Sequence, residues 1–150
     1  MYDFLKDLVT SNTFLTVISG VLVFVISQLF NEYWLRPIQN YKELRAKISY
    51  SLTLYANLYM NPVKRELLYE TKERDIASNE LRVLAAEVDS FIELRPWGNV
   101  FIARKKVLAA VSKKLIGLSN NFYSPHPDIA TDHNEKRCKE IYKLLRIKNK

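Results

Sequence analysis

Cysteine is nearly missing from this chain of 150 residues: Cys138 stands alone, so no disulfide can form within it. That usage is compatible with a reducing compartment. Glycine is almost as scarce, with only Gly20, Gly98 and Gly117. No alternating run of β-branched residues occurs either, which leaves little material for strands or hairpin turns. The expected fold class is all-α. Also missing are a phosphate-binding glycine loop, Cys and His at metal-ligand spacing, and a local nucleophile motif, so the sequence points away from an enzyme. His126 and His133, with Asp128 and Asp132 nearby, read as loop and helix-cap residues. Glu70 and Glu73 lie in a heavily charged segment and read as solvated. No metal and no cofactor are expected.

Formal charge is absent from Thr13 to Phe30, a run of eighteen residues. A hydrocarbon core of roughly 30 Å needs about 20 mostly apolar residues as helix, and the run meets that length. A cleaved signal peptide wants a basic start and a small-residue cleavage site. Here Asp3 and Asp7 outweigh Lys6, and no such site follows. Tyr33 and Trp34 fall where amphipathic rings prefer the headgroups, and Arg36 marks the exit from lipid. The sequence thus divides into a short extracytoplasmic N-terminus (1–12), a transmembrane helix (13–35) and a cytoplasmic helical domain (36–150). Orientation follows from Arg36, Lys42, Arg45 and Lys47 after the span against Lys6 alone before it.

Beyond the span, Ile38, Tyr41, Leu44, Ile48, Leu52, Tyr55 and Tyr59 recur at helical spacing up to Asn61-Pro62. Pro37 either kinks a helix running down from the bilayer or occupies the first turn of a new one. Residues 63–77 are heavily charged and read as either a helical turn or a mobile connector. A second helix is expected from about Ser78, with Ser78 or Asn79 as cap and Leu81, Leu84, Val88 and Phe91 or Ile92 inward. A third takes Phe101, Leu108, Val111, Leu115 and Leu118 inward. A fourth starts at a capping box of Asp132 and Glu135 and buries Cys138, Ile141, Leu145 and Tyr142. Such a thin bundle favours oligomerisation.

The net charge of +7 calls for an anionic partner. Arg104, Lys105, Lys106, Lys113 and Lys114 face outward on the third helix, and Trp97, Phe122 and Tyr123 flank it. Acidic lipids explain cations beside a span, whereas flat rings among cations suit a nucleotide or single-stranded nucleic acid. Within the span, Thr16, Ser19, Gly20, Val23, Ser27 and Asn31 share one side at 100° per residue. Small and hydroxylated residues there either pack helices closely or line a narrow wet path, and both uses need partner helices.

Two resemblances bear on function. The tripeptide His126-Pro127-Asp128 behind a basic helix resembles the J-domain of co-chaperones, although Pro125 and "SNNFYS" intervene and a first J-domain helix is missing. The segments "YKELRAKISYSLTLYANLYMNP", "ASNELRVLAAEV" and "LIGLSNNF" behind an N-terminal span resemble a family of small single-pass effectors of bacterial anti-phage defence, the transmembrane effectors of Hailong-type systems. That resemblance implies a tetramer-like assembly in the bacterial inner membrane, encoded beside a nucleotidyltransferase. It also implies an ion-conducting channel held silent by oligodeoxyadenylate. The alternatives are a membrane-anchored helical interaction module without pore activity and a J-domain-like co-chaperone.

Overall fold

The computed structural model describes residues 12–64, 71–95 and 100–147, with the backbone alone for Thr13 and Thr71. Every regular element among them is helical. The chain divides into two units, Met1–Gln39 and Asn40–Lys150.

In the first unit, α1 spans Asn12–Phe30 and passes into a π-helical turn, Asn31–Leu35, before α2 begins at Arg36. The turn has a local cause. Pro37 carries no N–H to bond the Tyr33 carbonyl, and its ring crowds the preceding turn. The backbone widens just before it, with the Arg36 N–H bonding the Asn31 carbonyl five residues back. The helix therefore passes through Pro37, and Phe14–Leu54 forms one run of 41 residues. Of the two roles open to Pro37, the structure has the continuous helix, with the π turn as its local distortion. Glu32 and Arg36 form an ion pair one turn apart, and the rings of Phe30 and Trp34 stack with centroids 6.0 Å apart.

The second unit holds α2 (Arg36–Leu54), which begins just before the unit boundary, α3 (Ala56–Met60), α4 (Thr71–Leu94), α5 (Lys105–Asn120) and α6 (Pro127–Leu145). Its core follows the apolar spacing of the sequence. Ile48, Leu52, Leu81, Val88, Leu108, Val111, Leu115, Leu118, Ile141 and Leu145 are all buried. Helix α4 packs along α5, and α5 and α3 pack on α6. Helix α2 joins through Tyr41, whose ring stacks on Phe91 at 6.0 Å, and through the exposed pair of Lys47 and Glu87.

Three expectations change. Helix α4 starts at Thr71, seven residues before the expected cap, so Ser78 and Asn79 lie inside it. Helix α6 starts at Pro127, in the first helical turn where proline costs no hydrogen bond. Asp132 is then an exposed interior residue rather than a cap, and the tripeptide His126-Pro127-Asp128 is a helix start, with His126 at the N-cap. Phe101, assigned inward, is 70% exposed because α5 begins only at Lys105 and Phe101 precedes it in a turn.

Polar side chains hold the helix ends. The last carbonyls of α3 are orphans of the helix ladder. Buried Arg74 donates to the Leu58 and Asn61 carbonyls at 2.8 and 3.0 Å. Thr131 donates to Met60 O at 3.0 Å, and fully buried Asn134 to Tyr59 O at 2.7 Å. Gly117 lets Arg137 lie close: a Cβ there would meet Arg137 Nε at 2.8 Å and require that side chain to shift, while Arg137 Nη1 donates to the Gly117 carbonyl at 3.1 Å.

Candidate functional site

Two features stand out, one in each unit. The first is the apolar helix itself. From Leu15 to Phe30 its large side chains are exposed, and none of its most apolar eighteen-residue window is buried by protein. The helix is long and apolar enough to cross a membrane. On the side bearing the small residues, Thr16 Oγ1 donates to Asn12 O at 2.8 Å and Ser19 Oγ to Thr16 O at 2.9 Å. Those two hydroxyls are satisfied within the helix, a common recourse for Ser and Thr in apolar surroundings. Ser27 and Asn31 have no such bond. A Cβ placed on Gly20 meets nothing within 4 Å. This face is therefore open to another helix backbone.

The second feature is a cavity of about 690 Å³ between the first half of α4 and the C-terminal end of α5, closed at one side by Lys64 and by Tyr123 to Pro125. Most of its lining residues carry polar side chains, although the surface they present is part apolar. Arg82 reaches it from α4, and its guanidinium is aimed by two bonds, Nε to Ser119 Oγ at 3.3 Å and Nη2 to Asn120 Oδ1 at 3.1 Å. Buried Ser78 donates to the Ser119 carbonyl at 2.9 Å, and Ser119 Oγ donates to the Ile116 carbonyl at 2.8 Å. The Tyr123 hydroxyl donates to Asp75 Oδ1 at 3.0 Å, which occupies the one carboxylate in the wall. Lys64 adds a second cation. Backbone bonds fix this corner: Val63 N–H to Phe122 O at 3.3 Å and Ser124 N–H to Val63 O at 3.1 Å.

The cations expected to form an anion surface are separated from this cavity. Arg104 is the N-cap of α5 and Lys105 and Lys106 form its first turn, with no acidic residue among them. Cations at the positive end of a helix dipole repel it, and they concentrate positive potential there. Lys113 is exposed, whereas Lys114 is tied to Glu140 of α6 in an ion pair that pulls the carboxyl below its usual range. Tyr123 lies beyond the other end of this 16-residue helix. At 1.5 Å per residue, roughly 24 Å separate the two ends, so a small ligand reaches one or the other. Trp97 lies outside the described residues. Among the described residues, no cluster of three His, Cys, Asp or Glu side chains is placed to hold a metal ion. Comparisons with protein families, curated proteins and solved structures gave no match to this chain.

Sequence reasoning passed over Lys64, Ser78, Asn79, Arg82, Ser119 and Asn120. The signal was a pair of Ser-Asn dipeptides, Ser78-Asn79 and Ser119-Asn120. Read as helix punctuation, they conceal a polar wall; once α4 is known to start at Thr71, Ser78 and Asn79 have no capping duty and their position between helices needs another account.

Cys138 is buried, and burial pushes its thiol above the usual range, with the Tyr59 hydroxyl 3.3 Å away opposing the shift only in part. Since the thiolate is the reactive species, Cys138 is a poor topology reporter. We expect it to resist an impermeant maleimide in intact and in permeabilised cells alike, and to react only after denaturation. An exposed reporter, Asp132→Cys, is expected to label only after permeabilisation if the domain is cytoplasmic. Labelling of that variant in intact cells would reverse the orientation.

Proposed function

We propose that this chain is an oligomeric, single-pass membrane effector of bacterial defence, of the kind its sequence resembles. In this reading the span crosses the inner membrane with the N-terminus outside. Copies associate through the side bearing Gly20, Ser27 and Asn31, with tetramers favoured, and open an ion-conducting path. The basic cytoplasmic domain carries an anionic, nucleotide-type signal, such as a single-stranded oligodeoxyadenylate, that controls the opening, and a neighbouring nucleotidyltransferase is the expected source. The chain is not an enzyme in this account.

The observation that carries the reading is the apolar helix uncovered over its most apolar eighteen residues, with one side of small residues open to a partner. A lone anchor surrounded by lipid needs no such side. The second reading, an anchored interaction module without a pore, is favoured by the Thr16 and Ser19 hydroxyls, which are satisfied without any partner.

The exposed cations of α5 provide a test. Full-length protein in detergent is expected to bind a single-stranded oligonucleotide at low salt, with affinity falling steeply as salt rises. Changing Arg104, Lys105, Lys106 and Lys113 to Gln is expected to lower the slope of log affinity against log salt by about 0.7 for each cation that meets a phosphate. Lys114 is left in place because it serves Glu140. Binding to anionic vesicles alone, with none to oligonucleotide, would assign the charge to lipid.

A further inference from the structure

We propose that the cavity between α4 and α5 is a binding site for a nucleoside phosphate, with the phosphate on Arg82 and Lys64 and the base beside Tyr123. The inference rests on the reading above only in that the domain answers an anionic signal; the site itself is argued from its walls.

Size comes first. About 690 Å³ lies within the range of small-molecule pockets, roughly 300–1,000 Å³, and far exceeds what one inorganic anion fills. Chemistry comes second. Ordinary ligand pockets are mostly apolar, but here Lys64, Asn79, Arg82 and Asn120 present charges and amides that an apolar ligand would cover without replacing their hydrogen bonds. The occupant must therefore be polar over most of its surface. Sign comes third: Arg82 and Lys64 face a single carboxylate, Asp75, which already accepts from Tyr123. The balance favours an anion.

The geometry then selects among anions. Ser119 and Asn120 take one N–H each from Nε and Nη2 of Arg82, which fixes the guanidinium plane and leaves its other N–H groups to bind. A planar fork held in this way matches two oxygens of a phosphate. Asn79 is exposed on the same wall, and Asn120 keeps its amide N–H groups after accepting from Arg82. Carboxamides offer the paired donor and acceptor that a base edge requires. Tyr123 is held at its hydroxyl by Asp75 beside them.

The cavity also touches a structural joint. Lys64 follows the Val63 bridge to Phe122 and Ser124, and Val63 lies three residues past the end of α3. A ligand held by Lys64, the residue after Val63, braces that bridge.

The test is calorimetric titration of the full-length protein in detergent with AMP, adenosine, ribose 5-phosphate and inorganic phosphate, and with an oligodeoxyadenylate bearing or lacking a 5′-phosphate. AMP is expected to bind, and each fragment to bind at least about tenfold more weakly. Preference for AMP over the 5′-phosphorylated oligomer assigns the site to free nucleotide, and the reverse assigns it to a strand end; either supports the site. Arg82→Gln and, separately, Lys64→Gln, both at exposed positions, are expected to weaken AMP by about tenfold or more. Hydrogen exchange at the Val63 and Ser124 amides is expected to slow on binding. The α5 variant with Arg104, Lys105, Lys106 and Lys113 changed to Gln is expected to bind AMP as the wild type does. Ribose 5-phosphate binding as well as AMP would overturn the base assignment, and AMP affinity that survives both Arg82→Gln and Lys64→Gln would overturn the site. If AMP fails to bind while the oligonucleotide still binds through α5, this inference falls and the proposed function stands.

Discussion

Replacing Asn134 with Ala is expected to lower the stability of the helical domain by about 3 kcal/mol and its melting temperature by about 10 °C. The side chain is fully buried, and three helices depend on it. Its Nδ2 donates to the Tyr59 carbonyl at the end of α3, and its Oδ1 accepts from Asn121 Nδ2 at 3.0 Å and from Arg137 Nη1 at 3.4 Å. Alanine removes both halves at once: it leaves the Tyr59 carbonyl buried without this partner, at about 1–3 kcal/mol, and the half-buried Asn121 amide without its acceptor at a smaller cost, in addition to the lost packing of a buried side chain. Asp at this position is the informative companion. It keeps the acceptor but faces the Tyr59 carbonyl with a second oxygen, so it is expected to be at least as damaging as alanine. Thermal unfolding of the full chain in detergent, followed by far-ultraviolet circular dichroism, reads both. A shift under about 2 °C for Asn134→Ala would mean that the α3 end is held by Arg74 and Thr131 alone.

The second large effect belongs to the span. Gly20→Leu adds bulk where the isolated helix has open space, and it replaces a poor helix former by a good one. Nothing among the described residues opposes it. Insertion is expected to be unchanged or improved, whereas close approach of a second helix is blocked. We expect loss of crosslinked oligomers and loss of ion leakage in cells where the wild type is active. Ser19 and Ser27 separate sterics from hydrogen bonding. The Ser19 hydroxyl already bonds the Thr16 carbonyl, so Ser19→Leu acts through size. Ser27 has no bond within the helix, so Ser27→Ala tests the hydroxyl alone. Val21→Leu, on another side of the helix, is the silent control.

How far the sequence carried this account depends on what kind of signal each part uses. The core helices are legible because burial imposes a period: Leu44, Ile48 and Leu52, or Leu108, Val111, Leu115 and Leu118, mark one side of a helix whatever surrounds it. The membrane-length helix is legible because lipid sets a length. Helix starts are less so. Ser78 and Asn79 make good caps in isolation, yet Thr71 to Ala77 join the helix, with Ala77 in the core and Arg74 holding the end of α3. The cavity was illegible for the same reason. Its two walls come from segments about 40 residues apart, and nothing local in "SNELR" or "GLSNN" says that they face each other. The form of the distortion at Pro37 was not legible either, since a proline in a helix pattern signals a kink or a first turn but not that the backbone takes up an extra residue as a π turn.

The central claim is that the uncovered helix makes membranes leak when copies associate and that the basic domain governs this through an anionic nucleotide-type ligand. Potassium flux from proteoliposomes containing the purified full-length chain, recorded with and without oligodeoxyadenylate, tests it most directly. The account predicts flux that depends on protein density, that Gly20→Leu abolishes, and that the ligand changes at least severalfold in the wild type. Proteoliposomes that stay sealed at every density, with and without ligand, would contradict it and leave a membrane-anchored helical module in its place.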